Sequence, residues 1–247
     1  QQIPDQISNA CQRVSKDHKL LDLLLKEQHY LLEYWQAAPK NINYRRFFDI
    51  NDLAAVSMQK KEIFEEYHNL LLDLIKRGVI QGIRIDHPDG FYSPRQYFKW
   101  LQAPFNNSLY VIVEKILEKN ESLPSDWDVL GTVGYEHLNM MTHLFIDSTK
   151  KSLVTKFYES FLGVTQMPEQ TLFEEKLNIG SKSLRSEIDR LTDQLESIFQ
   201  KQNFIYEKDK IYETLLSLFC VFPVYRTYLE KPPHEISNKD KTGYLLN

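Results

Sequence analysis

Two short apolar runs, each ending in an acidic residue, most constrain what this chain can fold into. The first is Gly82-Ile-Arg-Ile-Asp86, and the second is Tyr110-Val-Ile-Val-Glu114. Both are rich in β-branched residues, and the interval between them is long enough for a helix, so the stretch predicts a β-α-β unit with parallel strands. Because side chains at the carboxyl ends of parallel strands face a common crevice, we expect Asp86 and Glu114 to meet over one substrate.

Side-chain alternation along these runs separates charged from apolar faces. Arg84 and Asp86 share one face of the first strand, and two isoleucines share the other. An inward-facing charged pair costs several kcal/mol of desolvation unless it is hydrogen-bonded, so we interpret it as retained for chemistry or substrate. The alternative is an edge strand with a wetted polar face. Glu114 shares its face with two isoleucines, a setting that favours the protonated form needed by a general acid.

Composition excludes several classes of protein. The 247 residues are 42% hydrophobic, enough for one large domain or two small ones, and the formal net charge is -4. Charges are spread without long blocks, which argues against nucleic-acid binding and against a basic membrane-binding patch. No apolar run approaches the ~20 residues that a membrane-spanning helix needs.

The sequence gives no support for a metal or a cofactor. The seven histidines do not form the paired spacings of zinc sites, and Cys11 and Cys220 belong to no Cys-x-x-Cys motif. Glycine-rich phosphate-binding loops are absent as well. Two isolated cysteines favour a reduced, cytoplasmic setting. The chain begins with Gln-Gln rather than Met, which indicates processing or an internal piece of a longer chain.

Periodicity divides the chain into three parts. Residues 1–40 read as a helical lead-in, residues 41–147 contain the strand-like runs, and residues 148–247 read as a helical subdomain. Residues 41–50 are predicted to be extended and to lead into a polar turn at Asn51 and Asp52. Arg45 lies here among aromatic residues; it is a candidate for substrate contact, and the alternative is a solvated or salt-bridged edge.

The motifs taken together resemble a known family. They are Gln28-His-Tyr30, Tyr34-Trp35, Asn43-Tyr-Arg-Arg-Phe-Phe-Asp-Ile-Asn-Asp-Leu-Ala54, Gly82-Ile-Arg-Ile-Asp-His-Pro-Asp-Gly90, Val113-Glu-Lys-Ile-Leu117, Gly131-Thr-Val-Gly-Tyr135 and Phe222-Pro-Val-Tyr-Arg-Thr227. Their order and spacing resemble the middle of a maltooligosyltrehalose synthase, in the α-amylase superfamily (glycoside hydrolase family 13). The match is densest over residues 28–147.

The resemblance implies a fold and a division of labour between the two acids. It implies an α/β fold, with residues 41–147 as the middle strands of a partial (β/α)8 TIM barrel and a large, mainly helical insertion or subdomain, helix-rich overall. Asp86 would be the nucleophile, with Arg84 as its hydrogen-bonding partner, and Glu114 the general acid/base. Sugar contacts would come from a further set of side chains: Arg84, His87, Asp89, Lys115, Tyr135 and Arg45.

The implied activity converts the reducing-end α-1,4 linkage of a maltooligosaccharide into the α,α-1,1 linkage of trehalose, and the implied partner is that sugar. The superfamily's Asp-x-x-x-Asn-His motif and a segment bearing the third catalytic aspartate are absent from the sequence. We therefore expect an internal fragment that is inactive alone. Two alternatives stay open, a hydrolase of the α-amylase type and a non-catalytic carbohydrate-binding or assembly module. Exposed strand edges could also form a homo-oligomer.

Overall fold

The structure is a computed structural model that describes residues 2–118, 121–163 and 168–229. It begins with two helices, α1 (Gln2–Lys16) and α2 (His18–Lys26). Asp17 separates them as an N-cap, because its carboxylate accepts hydrogen bonds from the backbone N–H groups of Lys19 and Leu20. A short helix, α3 (Ala38–Asn41), follows.

An antiparallel hairpin comes next, formed by β1 (Arg46–Phe47) and β2 (Ile50–Ala54). The predicted turn at Asn51 and Asp52 was wrong, since both residues lie inside β2. The chain reverses instead at Phe48, whose φ is 49°. A phenylalanine at positive φ is uncommon, and Asp49 is the turn-forming residue type at this reversal.

The predicted β-α-β unit is confirmed. Helix α4 (Lys61–Lys76) leads into β3 (Gly82–Ile85), helix α5 (Pro94–Gln102) crosses over, and β4 (Tyr110–Val113) pairs with β3 in parallel. A two-residue strand, β5 (Gly131–Thr132), pairs with β4 on its other side, so the sheet order is β3-β4-β5. Ser93 caps α5 by accepting from the Gln96 N–H, and Pro94 occupies a first-turn position.

The apolar core lies between this sheet and its helices. Phe98 and Leu101 of α5 and Val111 and Val113 of β4 are fully buried. Burial of each such side chain stabilises the folded state by about 1.5–3 kcal/mol.

Strands β3 and β4 approach closely at their first pair, Gly82 opposite Tyr110. A Cβ on Gly82 would lie 2.9 Å from Tyr110 Cδ1 and 3.2 Å from the Tyr110 carbonyl oxygen. Any larger residue there would have to displace the Tyr110 ring and would crowd the Tyr110 backbone.

The rest of the described chain is helical: α6 (Tyr135–His143), α7 (Lys151–Leu162), α8 (Pro168–Ser181), α9 (Arg185–Lys201) and α10 (Lys208–Val221). Helix α10 packs on α8 and α9. The α8–α10 approach is tight at Gly180, where a Cβ would lie 2.6 Å from Leu216 Cδ1. The fold is thus helix-rich with two small sheets, and the three-part division of the chain stays a prediction.

Among the described residues, none of the helices is both long and apolar enough to cross a membrane.

Candidate active site

The strand register brings the two acids together. Ile85 pairs with Val113, and one residue farther on the Glu114 N–H donates to the Ile85 carbonyl at 2.9 Å. Asp86 and Glu114 therefore leave adjacent parallel strands at the same level. Neighbouring strands lie roughly 4.8 Å apart, which sets the scale of their separation.

Arg84 bridges the two carboxylates. Its Nη2 donates to Asp86 Oδ1 at 3.0 Å and also hydrogen bonds Glu114 Oε2. Two oxygens within hydrogen-bonding distance of one nitrogen are no more than about 6 Å apart. The expected apolar surroundings of Glu114 were wrong, because the carboxylate faces this guanidinium and the Tyr135 hydroxyl, which donates to Oε1 at 3.4 Å.

The Asp86 side chain is 63% exposed, so solvent reaches its carboxylate. Hydrogen bonding with the Glu114 side chain lowers the pKa of Asp86, and the positive charge of Arg84 acts in the same direction. Asp86 is thereby kept ionised, which is the state a nucleophilic carboxylate requires.

His87 follows Asp86 in the left-handed conformation, with φ of 45°. Its ring packs edge-on against Phe47 at 5.0 Å and Tyr225 at 5.8 Å. Burial lowers the pKa of His87, and the charge of Arg45 opposes protonation as well, although Asp86 and Asp89 favour it. Arg45 itself is exposed. The imidazole is therefore neutral near pH 7 and can both donate and accept hydrogen bonds.

Asp89 and Lys115 are buried, in contrast to the exposed Asp86. The Lys115 side chain is 0% exposed, and its Nζ lies 3.2 Å from Asp89 Oδ2 and 2.8 Å from Glu121 Oε1. The sugar-contact role predicted for these two residues stays a prediction, and their burial motivates a different role below.

Sequence reasoning assigned no site role to the segment after α10. The Arg226 guanidinium donates to the carbonyls of Asp89 at 3.0 Å and Phe91 at 2.6 Å, and the Tyr228 hydroxyl donates to the Asp89 carboxylate. The sequence does carry a signal here, because Phe222-Pro-Val-Tyr-Arg-Thr227 is one of the motifs that resemble the family. What the sequence did not show was that it folds back onto the turn after β3.

No cluster of three or more His, Cys, Asp or Glu side chains placed to hold a metal ion is found in the described part of the chain. The arrangement at the strand ends offers paired carboxylates with a bridging cation, which suits glycosyl transfer.

Comparison with known proteins decides the family. Two relatives are described as "Putative maltooligosyl trehalose synthase" and come from Mycobacterium tuberculosis, strains CDC 1551 / Oshkosh and ATCC 25618 / H37Rv. Each is 31% identical to this chain over 165 residues. The matched region is 66% of this chain and 21% of the relative. The structure of the Arthrobacter ramosus maltooligosyltrehalose synthase superposes with a TM-score of 0.74 at 30% identity, over 83% of this chain and 26% of that one. The chain belongs to the maltooligosyltrehalose synthase family.

Two further structures of the family agree. The "DSM5389 glycosyltrehalose synthase" gives a TM-score of 0.74 at 34% identity over 89% of this chain and 27% of that one. A Sulfolobus tokodaii structure described as a hypothetical maltooligosyl trehalose synthase gives 0.70 at 28% identity over 90% and 28%. No protein-family model matches the chain. The chain thus spans about a fifth to a quarter of the length of these synthases.

Proposed function

We propose that this chain is a fragment of an enzyme that rearranges maltooligosaccharides, turning their reducing-end α-1,4 linkage into the α,α-1,1 linkage of trehalose. The observation that carries the proposal is the single guanidinium of Arg84 in contact with both Asp86 and Glu114. The similarity to synthases supplies the substrate class.

In the first step Asp86 attacks the anomeric carbon of the second glucose from the reducing end. Glu114 gives its proton to the glycosidic oxygen, so the C–O bond breaks and the terminal glucose leaves with its hydroxyl restored. The product is a glycosyl ester on Asp86. A retaining mechanism of this kind uses carboxyl groups about 5–5.5 Å apart, which agrees with two acids bridged by one guanidinium.

In the second step the anomeric hydroxyl of the released glucose attacks the glycosyl carbon. Glu114, now ionised, accepts the proton, and the ester bond to Asp86 breaks. Because water would hydrolyse the same ester, isomerisation requires that the released glucose stay in place and that water be excluded. His87, Tyr135 and Arg45 are among the proposed sugar contacts, since His87 directly follows Asp86, the Tyr135 hydroxyl donates to Glu114, and the charge of Arg45 acts on His87.

The three-stranded sheet is proposed to be the middle of a (β/α)8 barrel in a cytoplasmic enzyme of the α-amylase superfamily. Among the described residues, β3 and β5 are the edge strands of this sheet. Their outer backbone groups could pair with further strands of the longer protein or with a second copy of the chain. A lone fragment would expose the site to water on both sides, and we therefore expect it to be inactive.

The test uses maltopentaose and the longer protein that contains this segment, with the fragment in parallel. We expect the longer protein to form a trehalose-ended isomer, with Asp86→Asn inactive and Glu114→Gln slowed about 10²–10⁴-fold. With a maltosyl fluoride, whose leaving group needs no protonation, Glu114→Gln should accumulate the glycosyl ester, seen as added mass on the peptide containing Asp86.

Asp126→Asn is the matched control, since Asp126 is an exposed carboxylate that pairs with Arg95 away from the strand ends. Release of glucose or maltose instead of the isomer would replace the proposal with hydrolysis. Binding of the sugar without any product in the longer protein would indicate a non-catalytic carbohydrate-binding module.

A further inference from the structure

Three charged side chains are buried together directly behind the candidate site. Lys115 is 0% exposed, Glu121 is 3% and Asp89 is 10%. Both carboxylates contact the same ammonium group, at 2.8 Å and 3.2 Å. Burying charges in this way is costly, and an apolar set of the same shape is often as stable, so the network calls for a role other than stability.

The network joins parts of the chain that are distant in sequence. Lys115 directly follows Glu114 at the end of β4, Asp89 lies in the turn that begins with His87, and Glu121 lies in the loop after β4. The Tyr228 hydroxyl donates to Asp89 from the segment after α10, and the Lys115 ammonium lies 5.9 Å above the Tyr228 ring. One ion cluster therefore connects both strand ends with the segment 222–229.

Arg226 adds a second connection between the same parts. Its guanidinium donates to the carbonyls of Asp89 and Phe91 and stacks 5.0 Å over the Tyr228 ring. The turn contains His87 at φ 45°, and a Cβ on Gly90 would lie 2.7 Å from His87 Cδ2. A strained and crowded turn keeps its shape only if its surroundings hold it.

We propose that Lys115, Asp89, Glu121 and Tyr228 form a buried latch that positions the turn after β3, and with it Asp86 and His87, relative to Glu114. These four act as positioning residues, and for Asp89 and Lys115 this proposal takes the place of the predicted sugar contact. Asp89 and Lys115 lie next to the two acids in sequence, yet their side chains are buried. The latch explains this burial. The roles of the acids rest on the proposed function, whereas the latch itself does not.

The test measures hydrogen exchange in this chain, with no sugar present. In Tyr228→Phe, which removes one hydroxyl, the hydrogen-bonded amides of Gly90 and Phe91 in the turn should exchange about tenfold faster, because a hydrogen bond to a charged group is lost. Protection in β4 and α5 should be unchanged, and the NMR signals of the His87 ring should shift. Tyr158→Phe, at an exposed position in α7, is the matched control.

Lys115→Met alone leaves two buried carboxylates unpaired and can prevent folding. The triple variant Lys115→Met, Asp89→Asn, Glu121→Gln removes all three charges, and we expect a protected core with a rapidly exchanging turn. Exchange that rises equally in the turn, β4 and α5 would overturn the positioning role, as would a triple variant whose turn is as protected as in the unmodified chain.

Absence of a trehalose-ended product from the longer protein would refute the proposed function and leave these exchange results standing. In the longer protein, the latch predicts that Tyr228→Phe lowers kcat about tenfold while the KM for maltopentaose changes less than about twofold. An unchanged kcat together with a loosened turn would overturn the link between latch and chemistry.

Discussion

The guanidinium of Arg46 lies 3.1 Å from Oε1 of Glu187, which follows it by 141 residues in the chain. The same guanidinium donates to the Asp49 and Ser183 carbonyls and to the Asn51 side chain. It thereby fixes the β1–β2 hairpin, which carries Phe47 against His87, to the first turn of α9.

Replacing Arg46 with alanine should destabilise the chain by about 3–5 kcal/mol, because the Arg46 side chain is only 2% exposed and several acceptors would lose their donor. Urea unfolding measures the change. Lys26→Ala breaks the exposed Lys26–Asp22 pair and should cost no more than about 0.5 kcal/mol. Equal effects of the two substitutions would show that the hairpin is not held by Arg46.

Phe98→Ala should destabilise by about 3–5 kcal/mol, since Phe98 is 0% exposed and the cavity cannot fill from solvent. The midpoint of chemical unfolding should fall with no change in slope. Leu172→Ala, at a position 57% exposed on α8, is the control and should shift the midpoint little. A small effect at Phe98 would mean that the sheet and α5 do not form one core.

Stability should fall as the pH drops from about 7 to about 5, because burial lowers the pKa of His68 below its ordinary value of 6.5. His68 accepts from the Tyr97 hydroxyl and donates to the Phe64 carbonyl. Over this range the unfolded chain binds more protons than the folded one, so the free energy of unfolding decreases as protons are added.

His68→Gln keeps an acceptor for Tyr97 and should reduce this pH dependence, measured as the thermal midpoint against pH. Part of the change in thermal midpoint with pH should persist, because burial also lowers the pKa of His87. An unaltered slope in His68→Gln would show that His68 is not the group that titrates.

Much of the fold could be predicted from local sequence patterns. The β-branched runs and their alternation predicted β3 and β4, and the length of the interval between them predicted the helix found as α5, because strand and helix periods are set by the backbone itself. The pairing of β3 with β4 followed from the helix between them. Phe48 and His87 could not be predicted at positive φ, since tertiary contacts hold them there against their intrinsic preference.

The candidate site was partly visible in the same way. Asp86 and Glu114 are candidates because each ends a predicted strand, and Arg84 is a candidate because it shares a strand face with Asp86. The contacts of Arg226 and Tyr228 with Asp89 join residues more than 130 positions apart, and nothing in periodicity or composition encodes so distant a contact. Burial of Lys115 was likewise hidden, because a lysine after an apolar strand ordinarily lies in water.

The missing side chain at Gly82 has a consequence at the other end of its strand. Gly82 lies about 13 Å before Asp86 along the extended chain, and a Cβ there would press on the Tyr110 ring and, at 3.2 Å, on the Tyr110 carbonyl oxygen of the paired strand. Where β3 yields instead of the ring, its spacing from β4 changes, and the gap between Asp86 and Glu114 depends on that spacing. Inverting glycosidases, whose carboxyls are about 6.5–9.5 Å apart, hold a water molecule between the general base and the sugar. A residue that touches no substrate would thus help decide whether the sugar is rearranged or hydrolysed.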